Sequence, residues 1–244
     1  MCELLGVSAA RPVRIQGYFD EFRAHAVDNP DGWGIAWWEA DVPTVVKEEL
    51  AANVSELAAR TGAEHPASST FVVHVRAASV GALTVDNAHP FVGPASERTW
   101  VFAHNGTVED LARLDLGHHV AAGETDSEQA FHHLLTRLER SPAATDDDLA
   151  AEVLATAREL SEGESRVNFL LSDGTALFAY HDGHKTMHLL ERDTPEGPVV
   201  VVASLPVSEE PGWAALAPGT FVEARGGVVV RRVDPGPWIR HDGA

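Results

Sequence analysis

Through the first 110 residues, apolar positions gather in short runs bounded by turn residues. Leu4–Ser8, Gly34–Trp38, Thr70–Val75 and Thr99–Ala103 each have strand length, and the last two are rich in Val, Phe and Trp. Val54–Arg60 predicts a single short helix in this region. From residue 125 the period changes. Thr125-Asp126-Ser127-Glu128 has the capping-box pattern, and Ala130, Phe131, Leu134, Leu135 and Leu138 follow at helical spacing. A second helix is predicted from Thr145-Asp146-Asp147-Asp148, whose acidic first turn suits the helix dipole. Leu149, Val153, Ala157 and Leu160 give it an apolar stripe, and Gly163 is its expected stop. Strands then return. Val167–Leu171 and Ala176–Tyr180 flank Ser172-Asp173-Gly174-Thr175, a hairpin signal, and Asp182-Gly183 marks the next turn. Val199–Ala203 and Val228–Val233 complete the set. Strands, two helices, then strands predict an α+β arrangement, sheet packed on sheet with helices outside. No repeat, low-complexity tract or linker divides it, so one domain over residues 1–244 is expected.

Charge narrows the function. Eighteen Lys and Arg against 37 Asp and Glu leave a net charge of −19. That balance disfavours a nucleic-acid partner, which needs a basic face, and docking on anionic membrane. The N-terminus, Met1-Cys2-Glu3-Leu4-Leu5-Gly6, lacks the basic and long apolar regions of a signal peptide. The apolar run Val199–Ala203 is far below the 18 or so residues of a membrane span. Cys2 is the one cysteine, so no intrachain disulfide forms and a reducing cytoplasm fits.

Cys2 is also the first candidate for chemistry. If Met1 is removed, it carries a thiol and a free α-amine. An α-amine titrates at about 7.7–8.0, close to the working pH of a general base. Nucleophile and base then reside in one residue. The plain alternative is an inert thiol near a terminus. Five polar clusters sit at predicted turns. They are Asn29-Pro30-Asp31-Gly32-Trp33-Gly34, His74-Val75-Arg76-Ala77-Ala78-Ser79-Val80-Gly81, Asn87-Ala88-His89-Pro90-Phe91, His104-Asn105-Gly106-Thr107 and Gly123-Glu124-Thr125-Asp126-Ser127-Glu128. Read singly, Asn105-Gly106 is a turn, Arg76 a surface charge and Asp126 a helix N-terminal acid.

Read together, in this order after Cys2, they resemble the class II glutamine amidotransferases. These are Ntn hydrolases that cleave the side-chain amide of glutamine with an N-terminal cysteine. The resemblance runs from Cys2 to about Glu128. The later segments Val167–Gly174 and Val199–Gly219, with Ala203-Ser204-Leu205-Pro206, Trp213 and Pro218-Gly219, are similar to stand-alone bacterial members. The resemblance implies a four-layer αββα sandwich of two mostly antiparallel sheets. It implies that Cys2 attacks the γ-carbonyl, with its own amine taking the proton. It places the oxyanion hole on Asn105 and Gly106 and the α-carboxylate on Arg76. It places the α-ammonium on Asp126, and Ser79 at a small hydroxyl position facing the carboxylate. Asp31 lies in a matching turn without an assigned role. His74, His89 and His104 are expected to be structural, because the mechanism needs no imidazole.

The chain departs from the family pattern at Ala77, where many members have an aromatic residue, and at Val80, where sugar-phosphate members have His. Asn29-Pro30 replaces a frequent Arg-Gly. These changes bear on the loop over the glutamine pocket and on substrate identity. His181, His184 and His188, and His118-His119 with His132-His133, lack the accompanying pattern of a known metal site, so no metal and no cofactor are expected. Trp33, Trp37 and Trp38 are expected in the core or the pocket wall. The glutaminase reading uses essentially the whole chain and leaves no synthase domain. Three functions are therefore open. One is a glutaminase that passes ammonia to a separate protein partner. Another is a hydrolase of a γ-glutamyl amide in a larger metabolite, as in the ergothioneine pathway. The third is a non-catalytic glutamine-binding protein on the same fold.

Overall fold

The structure, a computed structural model, describes residues 2–78, 80–141 and 145–235. The first of two sheets holds β1 (Glu3–Val13), β2 (Trp33–Glu39), β3 (Val42–Glu48), β4 (Ser68–Val75), β9 (His188–Thr194), β10 (Gly197–Ala203) and β11 (Ala214–Ala215). The second holds β5 (Phe91–Ala95), β6 (Arg98–Thr107), β7 (Arg166–Ser172), β8 (Ala176–His181), β12 (Thr220–Arg225) and β13 (Val228–Val233). The spatial orders are β11-β9-β10-β1-β4-β2-β3 and β13-β12-β8-β7-β6-β5. The paired strands run antiparallel in both sheets.

Side-chain alternation builds the layers. On β1, Leu5 and Val7 face α1 (Gln16–Ala24) and α2 (Glu56–Glu64), joining Phe19, Phe22 and Ala58 in one core. Leu4 faces the other way, into a central layer with Val72, Val101, Ala103, Leu170, Ala179 and Val202. The outer face of the second sheet presents Phe102, Phe169, Phe178 and Phe221 to α3 (Asp126–Arg140) and α4 (Asp146–Leu160). The result is the helix–sheet–sheet–helix sandwich of the Ntn hydrolases, and Trp33, Trp37 and Trp38 are buried in it.

The structure departs from the sequence reading in places. Among the described residues, the first 110 hold two α-helices, not one. α1 has no side-chain cap and no acidic first turn, so it carries none of the usual start signals. Packing of Phe19 and Phe22 secures it instead. β3 escapes the pattern because it is an edge strand carrying Pro43. At α3 only half of the expected capping box forms. Thr125 accepts from the Glu128 N–H, but the Glu128 carboxylate turns to the Ala122 and Gly123 N–H groups. The complete box is at α4, between Thr145 and Asp148.

Candidate active site

The central layer is apolar in its middle and polar at one end. Alternation carries the central face from Leu4 to Cys2, from Val72 to His74 and from Ala103 to Asn105. Cys2 is half-buried. Its Sγ accepts from the Ala77 N–H at 3.3 Å and lies 3.4 Å from the Ala77 carbonyl. The Asn105 side-chain amide donates to the Cys2 carbonyl. The two strand ends, β1 and β6, are thereby tied across the mouth of the sandwich. Burial pushes the Cys2 thiol up, and the Ala77 N–H only partly opposes this. A thiol so held stays protonated at neutral pH and needs a base to attack.

Next along β6, Gly106 is fixed by space. A Cβ there would lie 1.8 Å from the Arg166 carbonyl oxygen on β7. No side chain fits without moving a strand.

Arg76 follows β4 and is 3% exposed. Its guanidinium donates to the carbonyls of Val80 (2.9 Å), Ala82 (3.2 Å) and Gly81 (3.5 Å). Among the described residues it has no carboxylate partner. Carbonyl dipoles satisfy N–H groups but do not cancel a charge, and a buried unpaired charge costs several kcal/mol. An anion placed beside this guanidinium would offset that cost. The backbone here is clamped too: the Arg76 N–H donates to the Gly32 carbonyl and the Asp31 N–H donates to the Arg76 carbonyl. The Asp31 carboxylate accepts from the Ala78 N–H at 2.8 Å. Asp31 therefore shapes the loop beside Cys2. Ser79 lies outside the described residues, as does Met1.

Asp126 is the first residue of α3 and is nearly buried. Its Oδ2 accepts from the Val108 N–H at 2.7 Å, fixing the helix end against the segment that leaves β6. His104 reinforces this joint. Its Nε2 donates to the Arg166 carbonyl (3.1 Å), which leaves Nδ1 to accept from the Ser127 hydroxyl (2.8 Å). Cys2, Arg76, Asn105, Gly106 and Asp126 thus converge on one end of the sandwich.

His74 and His89 are buried with ring centroids 4.3 Å apart. Burial lowers both, His74 to about 3, so both are neutral.

Sequence reasoning noticed Asn87 only as part of a cluster. It is the latch of the Arg76 loop. Its side chain donates to the Ala82 carbonyl (3.0 Å), which also accepts from Arg76, and accepts from the Glu124 N–H (2.8 Å). Gly81, at φ +80°, packs against the Asn87 amide, where a Cβ would come within 2.9 Å. A lone Asn gives no such signal in a sequence.

His118 and His119, set aside as metal ligands, stay apart from this site. Among the described residues, His118, His119 and Glu139 bring ligand atoms within 4.8 Å of one another. Glu139 lies about 20 Å along α3 from Asp126, at 1.5 Å per residue.

A profile of the class II glutamine amidotransferases matches residues 1–199. The chain is 35% identical over 199 residues to an uncharacterised protein of Methanocaldococcus jannaschii, covering 81% of this chain but only 56% of that protein. It is 31% identical over 248 residues to the Escherichia coli protein YafJ, 91% of this chain and 96% of that one. It is 28% identical to the γ-glutamyl-hercynylcysteine sulfoxide hydrolase of Mycolicibacterium smegmatis, covering 88% of this chain and 87% of that enzyme. A crystal structure of a predicted glutamine amidotransferase from Pseudomonas aeruginosa superimposes with a TM-score of 0.74 at 26% identity, covering 94% of this chain and all of the other. The fold and the profile define an Ntn-type enzyme that acts on amide C–N bonds. The chain belongs to the class II glutamine amidotransferase family.

Proposed function

We propose that this protein hydrolyses the γ-amide of glutamine, or of a γ-glutamyl amide, with Cys2 as nucleophile. The observation that carries the reading is how Cys2 is held, its thiol by the Ala77 N–H next to Arg76 in the chain and its carbonyl by the Asn105 side-chain amide. Removal of Met1 frees the α-amine. That amine takes the thiol proton as sulfur bonds to the amide carbon. Asn105 and the Gly106 N–H hold the oxygen that becomes negative. The ammonium returns its proton to the leaving nitrogen as the C–N bond breaks. Water then cleaves the thioester, releasing glutamate and restoring the thiol. Arg76 receives the α-carboxylate in a two-pronged contact and Asp126 receives the α-ammonium. Ser79 adds a hydroxyl to the carboxylate.

The chain acts as one unit over residues 1–244. Strands beyond the profile match, β11 to β13, add to both sheets. Among the described residues no helix is long and apolar enough to cross a membrane. Ammonia passes to a separate acceptor protein when glutamine is the substrate. The second reading, a larger γ-glutamyl amide, is supported by the likeness to the hercynylcysteine sulfoxide hydrolase. Glutamate release from L-glutamine and from γ-glutamyl amides by wild type and Cys2→Ala tests the proposal. The variant is expected to lose on the order of 10⁴-fold or more in kcat/KM. Equal rates would remove Cys2 from the chemistry, and a wild type that binds glutamine without cleaving any amide would favour the binding-protein reading.

A further inference from the structure

The strand order places the two halves of a substrate on opposite flanks of Cys2. In the first sheet β4, leading to Arg76, lies on one side of β1, and β10 and β9 lie on the other. In the second sheet the segment leaving β6 meets Asp126, while β7 and β8 run away on the far side. Arg76 and Asp126 therefore close the glutamyl flank. What lies on the other flank faces the departing amine.

That flank is a polar strip ending in a cavity. Asn105 pairs with Asn168, Asn168 with His181 and His181 with Thr220, all on the central face. Two strand spacings, roughly 10 Å, separate Asn105 from His181. The Asn168 Oδ1 accepts from the Asp182 N–H and from His181 Nδ1, both at 3.0 Å. The backbone donor fixes the amide orientation. His181 Nδ1 therefore holds the proton and Nε2 is the acceptor. The Asn168 Nδ2 is buried and has no hydrogen-bond partner. A buried donor of this kind is satisfied by a ligand or by ordered water. From the first sheet, Ser204 fills the matching place. Its hydroxyl accepts from the Leu4 N–H and its carbonyl accepts from Thr186 Oγ1.

The strip opens into a cavity of about 520 Å³, within the range of small-molecule sites. His181, Lys185 and Thr186 supply its polar wall, and Met187, Leu216 and Pro218 its apolar wall. No carboxylate lines it, in a chain with twice as many acids as bases. The nearest, Asp182, is turned inward onto the Val167 and His184 N–H groups. Lys185 has no ion-pair partner among the described residues. A cation without a counter-ion on the wall of a cavity is available to an anionic group.

We propose that this cavity binds the amine half of the substrate, and that this amine carries a carboxylate. The substrate class is then a γ-glutamyl amino acid or short γ-glutamyl peptide, with its free carboxylate at Lys185. The inference rests on the hydrolase reading above. It is tested by kcat/KM for γ-glutamylglycine and for γ-glutamylethylamide, which differ in the carboxylate, with L-glutamine alongside. The ratio of the first two is independent of how much of a preparation is folded. For wild type the ratio is expected to be 10 or more, by about one charge-assisted contact. Lys185→Ala should bring it near 1 and Lys185→Glu below 1. A wild-type ratio near 1, or a ratio that neither substitution moves, overturns the subsite while Cys2-dependent glutamine hydrolysis leaves the chemistry standing. Failure to cleave any of the three amides overturns the hydrolase reading and the subsite with it.

Discussion

The two flanks of the Cys2 strand are built differently. On the glutamyl flank the loop that carries Arg76 is tied down. Arg76 holds three carbonyls of its own loop, Asn87 latches that loop to Glu124, and Glu128 holds Ala122 and Gly123. On the amine flank a cavity lies at the end of the strip, with a buried Asn168 donor left over beside it. A pre-organised flank recognises what all substrates share, because its ordering cost is met on folding. A looser, roomier flank accommodates what differs. The contrast suggests where specificity resides.

Substitutions on the first flank should therefore weaken all amides alike, whereas those on the second should discriminate. The largest effect after loss of Cys2 is expected from Asn105→Ala, about 10²–10³ in kcat for glutamine and γ-glutamyl amides equally. Steady-state kinetics on both substrates would expose a misplaced oxyanion hole if KM alone changed. Arg76→Ala should cost about 10²-fold in kcat/KM, mostly through KM, as expected for removing one partner of a buried charge contact. A substrate lacking the α-carboxylate should show no such loss. If it does, Arg76 holds the loop rather than the ligand.

Stability gives a third test of the tight flank. His74 and His89 are held neutral, below the ordinary 6.5. Folding stability from each is complete above 6.5 and declines as pH falls, because the unfolded chain binds the proton first. Urea unfolding at pH 5 should show a loss of about 2 kcal/mol per histidine relative to pH 7.5. His89→Gln should reduce that pH dependence by roughly half. A flat profile would mean that these rings are solvated. The smallest effect is expected from Asn87→Ala, about a tenfold rise in KM for every substrate, in line with one or two lost buried hydrogen bonds. A change in the γ-glutamylglycine to γ-glutamylethylamide ratio instead would erase the distinction between the flanks.

Much of this was legible in the residues themselves, for a physical reason. Short apolar runs and Asp-Gly turns expose strands such as β7 and β8, and Thr145-x-x-Asp148 announces α4 through local bonds. α1 stayed hidden because tertiary contacts of Phe19 and Phe22, not local signals, fix it. The convergence of Cys2, Arg76, Asn105 and Asp126 was expected from their family-like order. The latch at Asn87 and the strip from Asn168 to His181 were not. Both depend on which segments become neighbours, and pairing across 13 to 37 residues leaves no periodic trace.

The most direct test of the central claim is the intact mass of the purified protein after incubation with a diazo-ketone analogue of glutamine. The account predicts a chain that has lost Met1 and carries one adduct on Cys2, with excess L-glutamine blocking the adduct. A chain that retains Met1, or that is labelled elsewhere with Cys2 free, would contradict an amine-assisted cysteine nucleophile.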